Sequence, residues 1–438
     1  MNTKQKKPRW VKLDNAAKIY PAARTREWSN LFRLSATMTE EVDTSALRRA
    51  IDRTVGRFPS MATRLRRGAF WYYLEELTHP IEIRSENAYP LERMYFSEMR
   101  KSCLRVIVYK NRIAVEIFHS LTDGNGGLVF LKTLLAEYLK ERYGISVPCE
   151  HGVLDVSSEP TPEELEDSFL STYGKVSASR SETDAYRVRG TRYDSEFLSV
   201  TAFKMKTEGL LRLAHREGVT LTTYLSAAMM KALLNMQGEC VRNPKRLKAV
   251  KLLIPINLRP LFNKTTLRNF VLYSIPEADP RLGDYSVSEL ARIIQHRMGL
   301  DNTAKHMQTM ITTNVKSELL LPVRIMPLAI KNFVMKAVFT AVGERKSCLS
   351  LSNLGRVKLP EVMYGYIERM DFILGPQASA PYNCGLITYG DTAYLNFIRN
   401  IKEPKLERHF YQVLRELNID AVVESNSASA EPITTRYE

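Results

Sequence analysis

The sequence predicts an α/β protein built from two similar-sized sandwich halves, and three observations predict it. The chain has 438 residues, more than one core usually serves, so two domains are the default. Strand-like and helix-like runs are mixed through both halves. Between them, residues 155–195 are polar, poor in aliphatic side chains, and open with Ser/Pro turns, as a crossover segment would. The expected organisation is an N-terminal half over 1–160, a linker over 161–195, a C-terminal half over 196–423 and a disordered tail over 424–438.

Each element has a local signal. "LFRLSATM" (31–38) reads as a strand, and "DTSALRRAIDRTVGRF" (43–58) as a helix opened by Asp/Thr/Ser. "MATRLRR" and "FWYYLEEL" flank Gly68-Ala69 as a hairpin. "CLRVIVYKNRIAVEIF" (103–118) gives two β-rich runs around "YKNR", a second hairpin. From Leu128, apolar residues at helical spacing run to a terminal Gly144. In the second half, "FLSVTAFKM" (197–205) is strand-like and precedes two helices, "TEGLLRLAHREG" and "LTTYLSAAMMKALLNMQ". "LKAVKLLIPINL" (247–258) and "CLSLSNLG" (348–355) are buried strands. "CGLITYGDTAYLNFIRN" (384–400) is a hairpin about Gly-Asp, and "EPKLERHFYQVLREL" is a last helix.

Composition is that of a soluble globular chain, 44% hydrophobic and 25% charged. Five cysteines without a CxxC argue against a disulfide framework or a zinc site and for a reducing, cytoplasmic setting. The basic N-terminus has no apolar stretch behind it and does not read as a secretory signal. Net charge is +15, which points to an anionic partner. Nucleic acid is one candidate, although no zinc-finger, basic-zipper or RRM motif accompanies that charge; a phosphate-bearing small molecule or an acidic carrier protein fits equally well, and charge alone favours neither. The stretch 319–342, "LLLPVRIMPLAIKNFVMKAVFTAV", is broken by Arg324, Lys331, Lys336 and two prolines, which excludes a transmembrane span. A core-facing helix pair is the expectation there. A basic amphipathic element on a membrane or over a lipid substrate is the alternative.

The chemistry concentrates at "FHSLTDGNGG" (118–127), where a strand meets a helix. Histidine takes and returns a proton near neutral pH, and a strand end holds His119 rigidly. Asp123, at the turn before the helix, is placed to bond the ring or to pin the loop. Glycines at 124, 126 and 127 allow a sharp turn and close approach of a ligand. Roughly 0.02 H-x-x-x-D-G matches arise by chance in a chain of this composition. No H-E-x-x-H, P-loop or Gly-x-Ser-x-Gly pattern competes with it.

"FHSLTDGNGG" resembles the H-x-x-x-D-G motif of acyltransferases related to chloramphenicol acetyltransferase, a superfamily that includes condensation domains, BAHD acyltransferases and alcohol acetyltransferases. "IPINLRP" (254–260), "LSNLG" (351–355) and "YLNFIRN" (394–400) are similar to further strands of that superfamily. The pattern looks most like stand-alone bacterial alcohol-acetyltransferase-type proteins. Phe118 stands where many relatives have a first histidine, and "MDFILGP" (370–376) echoes only the Asp-Phe of the BAHD signature.

The resemblance implies a chloramphenicol-acetyltransferase-like fold with an active-site tunnel between the halves. It implies His119 as general base, Asp123 as a structural residue paired with Arg259, and Gly124 as clearance for substrate. Acyl-CoA, acetyl-CoA in particular, would be co-substrate to a small-molecule alcohol or amine, with its phosphates answering part of the basic excess. No tightly bound cofactor or metal is implied. Asn257 and Asn353 are side-chain candidates for substrate or oxyanion binding, alongside a backbone amide near Gly124. An acyl carrier protein as donor, a lipid acceptor, or a non-catalytic binding module are the alternatives.

Overall fold

The computed structural model describes residues 8–24, 30–86, 89–177, 183–193, 196–342, 344–377 and 380–426. Its first-half strands are β1 (Trp10–Lys12), β2 (Leu31–Met38), β3 (Thr63–Arg67), β4 (Tyr72–Glu76), β5 (Ile83–Ser85), β6 (Leu104–Tyr109) and β7 (Arg112–Phe118). The later strands are β8 (Ser199–Lys206), β9 (Val250–Asn257), β10 (Val271–Ser274), β11 (Glu277–Ala278), β12 (Leu349–Arg356), β13 (Ile367–Leu374), β14 (Tyr382–Tyr389), β15 (Thr392–Arg399) and β16 (Ala421–Ser425). The principal helices are α1 (Ile19–Ala23), α2 (Thr44–Arg57), α3 (Gly124–Tyr143), α4 (Thr207–Arg216), α5 (Leu221–Cys240), α6 (Val287–Asp301), α7 (Ala304–Leu319), α8 (Leu321–Ile325), α9 (Leu328–Val342) and α10 (Lys405–Glu416).

Two mixed sheets carry the fold. One has the order β13-β2-β7-β6-β5, and the other β10-β9-β12-β14-β15-β8-β16 with β11 paired to β9. A small sheet, β1-β4-β3, stands apart. Helices α2 and α3 pack together beside the first sheet, and α5 packs with α6 and α10 beside the second. Sequence explains the layering. In α2, Ala46, Leu47, Ala50 and Ile51 fall on one face and are buried, while Asp43 caps the first turn by accepting from the Ser45 and Ala46 amides. Strands β2, β7, β14 and β15 are buried almost throughout, and the polar side chains they carry, Arg33, Glu116, Asn383 and Asn396 among them, are buried with partners.

The second half lends a strand to the first sheet. β13 comes from the second half of the chain yet lies antiparallel to β2 in the first sheet, with Phe372 opposite Leu34. The second sheet touches it at Gly385 of β14, where a Cβ would sit 2.3 Å from the Phe372 carbonyl oxygen, so only glycine fits. Beside this contact the Asn396 amide donates to Asp371 Oδ1 and to the Phe372 carbonyl, both at 3.2 Å. One apolar core accordingly runs from Leu13 to Ile398 across both sheets.

Two expectations change. The segment expected as a core-facing helix pair, 319–342, is the end of α7 followed by α8 and α9, and most of its apolar side chains face solvent. A disordered tail is expected from 424, but Glu424 and Ser425 belong to β16 and pair with β8; 427–438 lie outside the described residues. The sequence pattern also missed β13 as a strand of the first sheet, because strand pattern carries no information on the partner.

Candidate active site

The His119 loop is built by a strand that stops and a helix that starts. β7 ends at Phe118, the His119 amide bonds the Asn30 carbonyl, and a tight turn returns the Leu121 amide to the Phe118 carbonyl. Asp123 is the N-cap of α3: its Oδ1 accepts from the Asn125 and Gly126 amides, both at 3.1 Å. The far end of α3 is closed by Gly144 in the left-handed region, φ 71°.

Arg259 reaches Asp123 from the second half. Nη1 lies 2.9 Å from Oδ2 and Nη2 lies 3.1 Å from Oδ1, a two-pronged pair, and the Phe270 amide adds a bond to Oδ2 at 2.9 Å. Asp123 is 2% exposed, and its partners are the α3 amides, Arg259 and the Phe270 amide. Arg259 is itself fixed by the Thr266 and Arg268 carbonyls, at 2.7 and 2.6 Å.

His119 is held by a residue that the sequence analysis missed. The Asn269 Oδ1 is 3.0 Å from His119 Nδ1. Its Nδ2 faces two acceptors, the His119 carbonyl at 3.0 Å and Asp14 Oδ2 at 3.1 Å, which fixes the orientation of the amide. Oδ1 therefore meets the ring as an acceptor, Nδ1 carries the proton, and Nε2 keeps its lone pair. Tyr20 of α1 stacks on the imidazole, with centroids 4.4 Å apart, and Phe32 meets its edge at 5.1 Å. Enclosure by protein lowers the His119 pKa below 6.5, against the opposing pull of its own backbone carbonyl, Asp123, Asn269 and Asp14. Burial thus favours the neutral imidazole. Burial also raises the Asp14 carboxyl above its ordinary range, although Arg268, Asn269 and the Ala17 amide oppose that.

The remaining candidates fall elsewhere. Asn257 Oδ1 accepts from the Arg259 amide and Nη1, at 3.2 and 3.1 Å, so this residue supports the arginine. Asn353 donates to Thr222 Oγ1 at 2.8 Å and accepts from the Gly355 amide at 2.7 Å. The glycines do not form a sharp turn: Gly124, Gly126 and Gly127 all lie in α3, and none has a positive φ. They serve close packing. A Cβ at Gly126 would sit 2.3 Å from the Leu267 carbonyl oxygen, and one at Gly124 would sit 2.8 Å from Leu354 Cδ2. Asn269 gave little signal in the sequence beyond an Arg-Asn pair ahead of the apolar run "FVLYSI". Asp14 and Tyr20 lay within a segment noted only for its basic residues.

No family model matches this chain, and no curated protein matches its sequence. Solved structures do match. TRI101 of F. sporotrichioides, solved with coenzyme A and T-2, superposes with a TM-score of 0.65 at 10% identity, covering 96% of this chain and all of the other. The chain has the same fold. Polyketide synthase associated protein 5 from Mycobacterium tuberculosis gives 0.60 at 16% identity, over 92% of this chain and 96% of its own. TRI3 trichothecene 15-O-acetyltransferase from Fusarium sporotrichioides gives 0.57 at 12% identity, over 93% and 94%.

Proposed function

We propose that the protein is an acyltransferase that moves an acyl group, acetyl in the first instance, from coenzyme A to the hydroxyl or amine of a small molecule. The observation that carries this reading is the Asn269–His119 bond, which places the ring proton on Nδ1 and leaves Nε2 as the basic atom. The shared fold with TRI101, which was solved with coenzyme A, supports the donor.

In this reading Nε2 removes the proton from the acceptor O–H or N–H as its oxygen or nitrogen attacks the thioester carbonyl. The tetrahedral adduct collapses with cleavage of the C–S bond, and the imidazolium returns its proton to the departing thiolate. The products are the acyl ester or amide and free coenzyme A. Such proton transfer contributes about 10²–10⁴ in rate. Asp123 and Arg259 take no proton. They lock the N-terminus of α3 to the second half, which sets the distance between β7 and the 266–270 segment that presents Asn269.

The test is thiol release from acetyl-CoA over a panel of alcohols and amines, with wild type and His119→Ala compared. Acceptor-dependent release that falls at least 10²-fold in the variant is the expected result. Equal release by both proteins would remove His119 as the base.

A further inference from the structure

The solvent face of α9 is the apolar one. Ile330, Phe333, Val334 and Ala337 follow the i, i+3, i+4, i+7 spacing of a single helix face, and all are exposed, Phe333 at 76% and Ile330 at 55%. Leu319, Leu320, Leu321 and Ile325 continue the surface along α8, with Leu321 at 66%. The helix is held in this rotation. Lys331, on the opposite face, is buried with Nζ donating to the Phe70 carbonyl at 2.7 Å and 3.6 Å from the centre of the Trp71 ring. Next to it, Asn332 donates to the Tyr72 hydroxyl at 3.0 Å. An apolar surface of this extent on a water-facing helix marks an interaction site.

Charge indicates the occupant. Between Glu318 and Glu344 the chain carries three cations and no carboxylate. Glu318 is turned inward onto Lys18 and Asn15. Arg324 and Lys336 are exposed, and neither forms an ion pair among the described residues. A second copy docked on this face about a two-fold axis would bring the same unpaired cations together. A surface of anionic lipid supplies both an apolar interior and the missing negative charge. Among the described residues no helix is long and apolar enough to cross a membrane.

We propose that α8 and α9 form an interfacial membrane-docking element for anionic lipid surfaces. The apolar face enters the headgroup boundary, and Arg324 and Lys336 meet lipid phosphates or carboxylates. α9 packs on α1, whose Tyr20 stacks on His119, so the docked face lies one short helix from the imidazole. The docking itself does not depend on the acyl-transfer reading, because its assay reads lipid and not turnover.

The experiment is co-sedimentation of the full-length chain with vesicles of phosphatidylcholine alone or with a third of phosphatidylserine, in 0.1 M salt. Wild type is expected to sediment with the anionic vesicles. Ile330→Ser/Phe333→Ser should lower the partition coefficient at least tenfold with an unchanged circular dichroism spectrum. Arg324→Gln/Lys336→Gln should lower it severalfold and flatten its salt dependence. Failure to bind anionic vesicles would overturn the proposal, as would binding that the serine variant leaves unchanged. A dimer by light scattering that the serine variant dissociates, without vesicle binding, would assign the face to a second copy.

Discussion

Replacing Asn269 separates a residue that tunes the imidazole from one that merely fills space. Asn269→Ala deletes the bond to His119 Nδ1 at 3.0 Å, the bond to the His119 carbonyl at 3.0 Å and the bond to Asp14 Oδ2 at 3.1 Å. A buried polar group left unpaired costs about 1–3 kcal/mol. Asp14 keeps the Ala17 amide at 2.6 Å and the Arg268 guanidinium at 3.6 Å, and His119 keeps some accessible surface for water. The net stability loss should therefore stay at about 1–3 kcal/mol, and the protein should fold. Activity should fall further. The ring loses its fixed tautomer and orientation, and misplacing a reacting group by an ångström costs about 10²-fold.

The deciding readout is the acid limb of the kcat/KM profile, which reports proton uptake by the free base. Burial lowers the His119 pKa, and the Asn269 bond works against that lowering. Removing the bond in Asn269→Ala should move the acid limb to lower pH, whereas Asn269→Asp, with an added carboxylate, should move it to higher pH. Asn269→Asp also sets an oxygen against the His119 carbonyl and Asp14 Oδ2, so urea denaturation should show it to be the less stable of the two, and the opposite directions of the shifts are what decide. An acid limb that stays put in both variants, with activity tracking only the folded fraction, would refute the assignment of His119 as the base tuned by Asn269.

Three further outcomes follow from the same geometry. Arg259→Met leaves the buried Asp123 carboxylate without its cation and should cost about 3–5 kcal/mol by denaturant titration, while Arg259→Lys keeps the charge, loses the fork and should cost less. Gly126→Ala drives a Cβ against the Leu267 backbone and should destabilise by about 1–3 kcal/mol, whereas Gly124→Ala crowds the movable end of Leu354, with the Phe372 ring at ordinary contact distance, and should fold normally. Because His119 titrates below 6.5 when folded, its contribution to stability is present above pH 6.5 and lost as pH falls through the folded value. Wild type should therefore lose stability on acidification more steeply than His119→Gln, as read from denaturation midpoints between pH 7 and 5.

What was legible in the sequence is what is local. The end of β7 and the Gly144 stop each depend on residues within one turn of the chain and could be read directly, whereas the helix begins at Gly124, capped by Asp123, and takes in the glycines that read as a turn. Asn269 lies 150 residues from His119, and Asp14 lies 255 residues from Asn269. No periodicity encodes such a meeting, because it depends on how β9 and β10 turn the 259–270 segment back over the loop. The same limit governs α9. Helical spacing identifies its apolar stripe, but the stripe's direction is set by Lys331, which reaches inward to the Phe70 carbonyl and the Trp71 ring and thereby commits Phe333 and Ile330 to the outside. A buried cation needs compensating partners wherever it goes, and the hairpin tip provides them. Lys331→Met would remove that requirement and leave Phe333 and Ile330 less firmly committed to the surface. Vesicle binding should then weaken although no lipid-facing residue has changed.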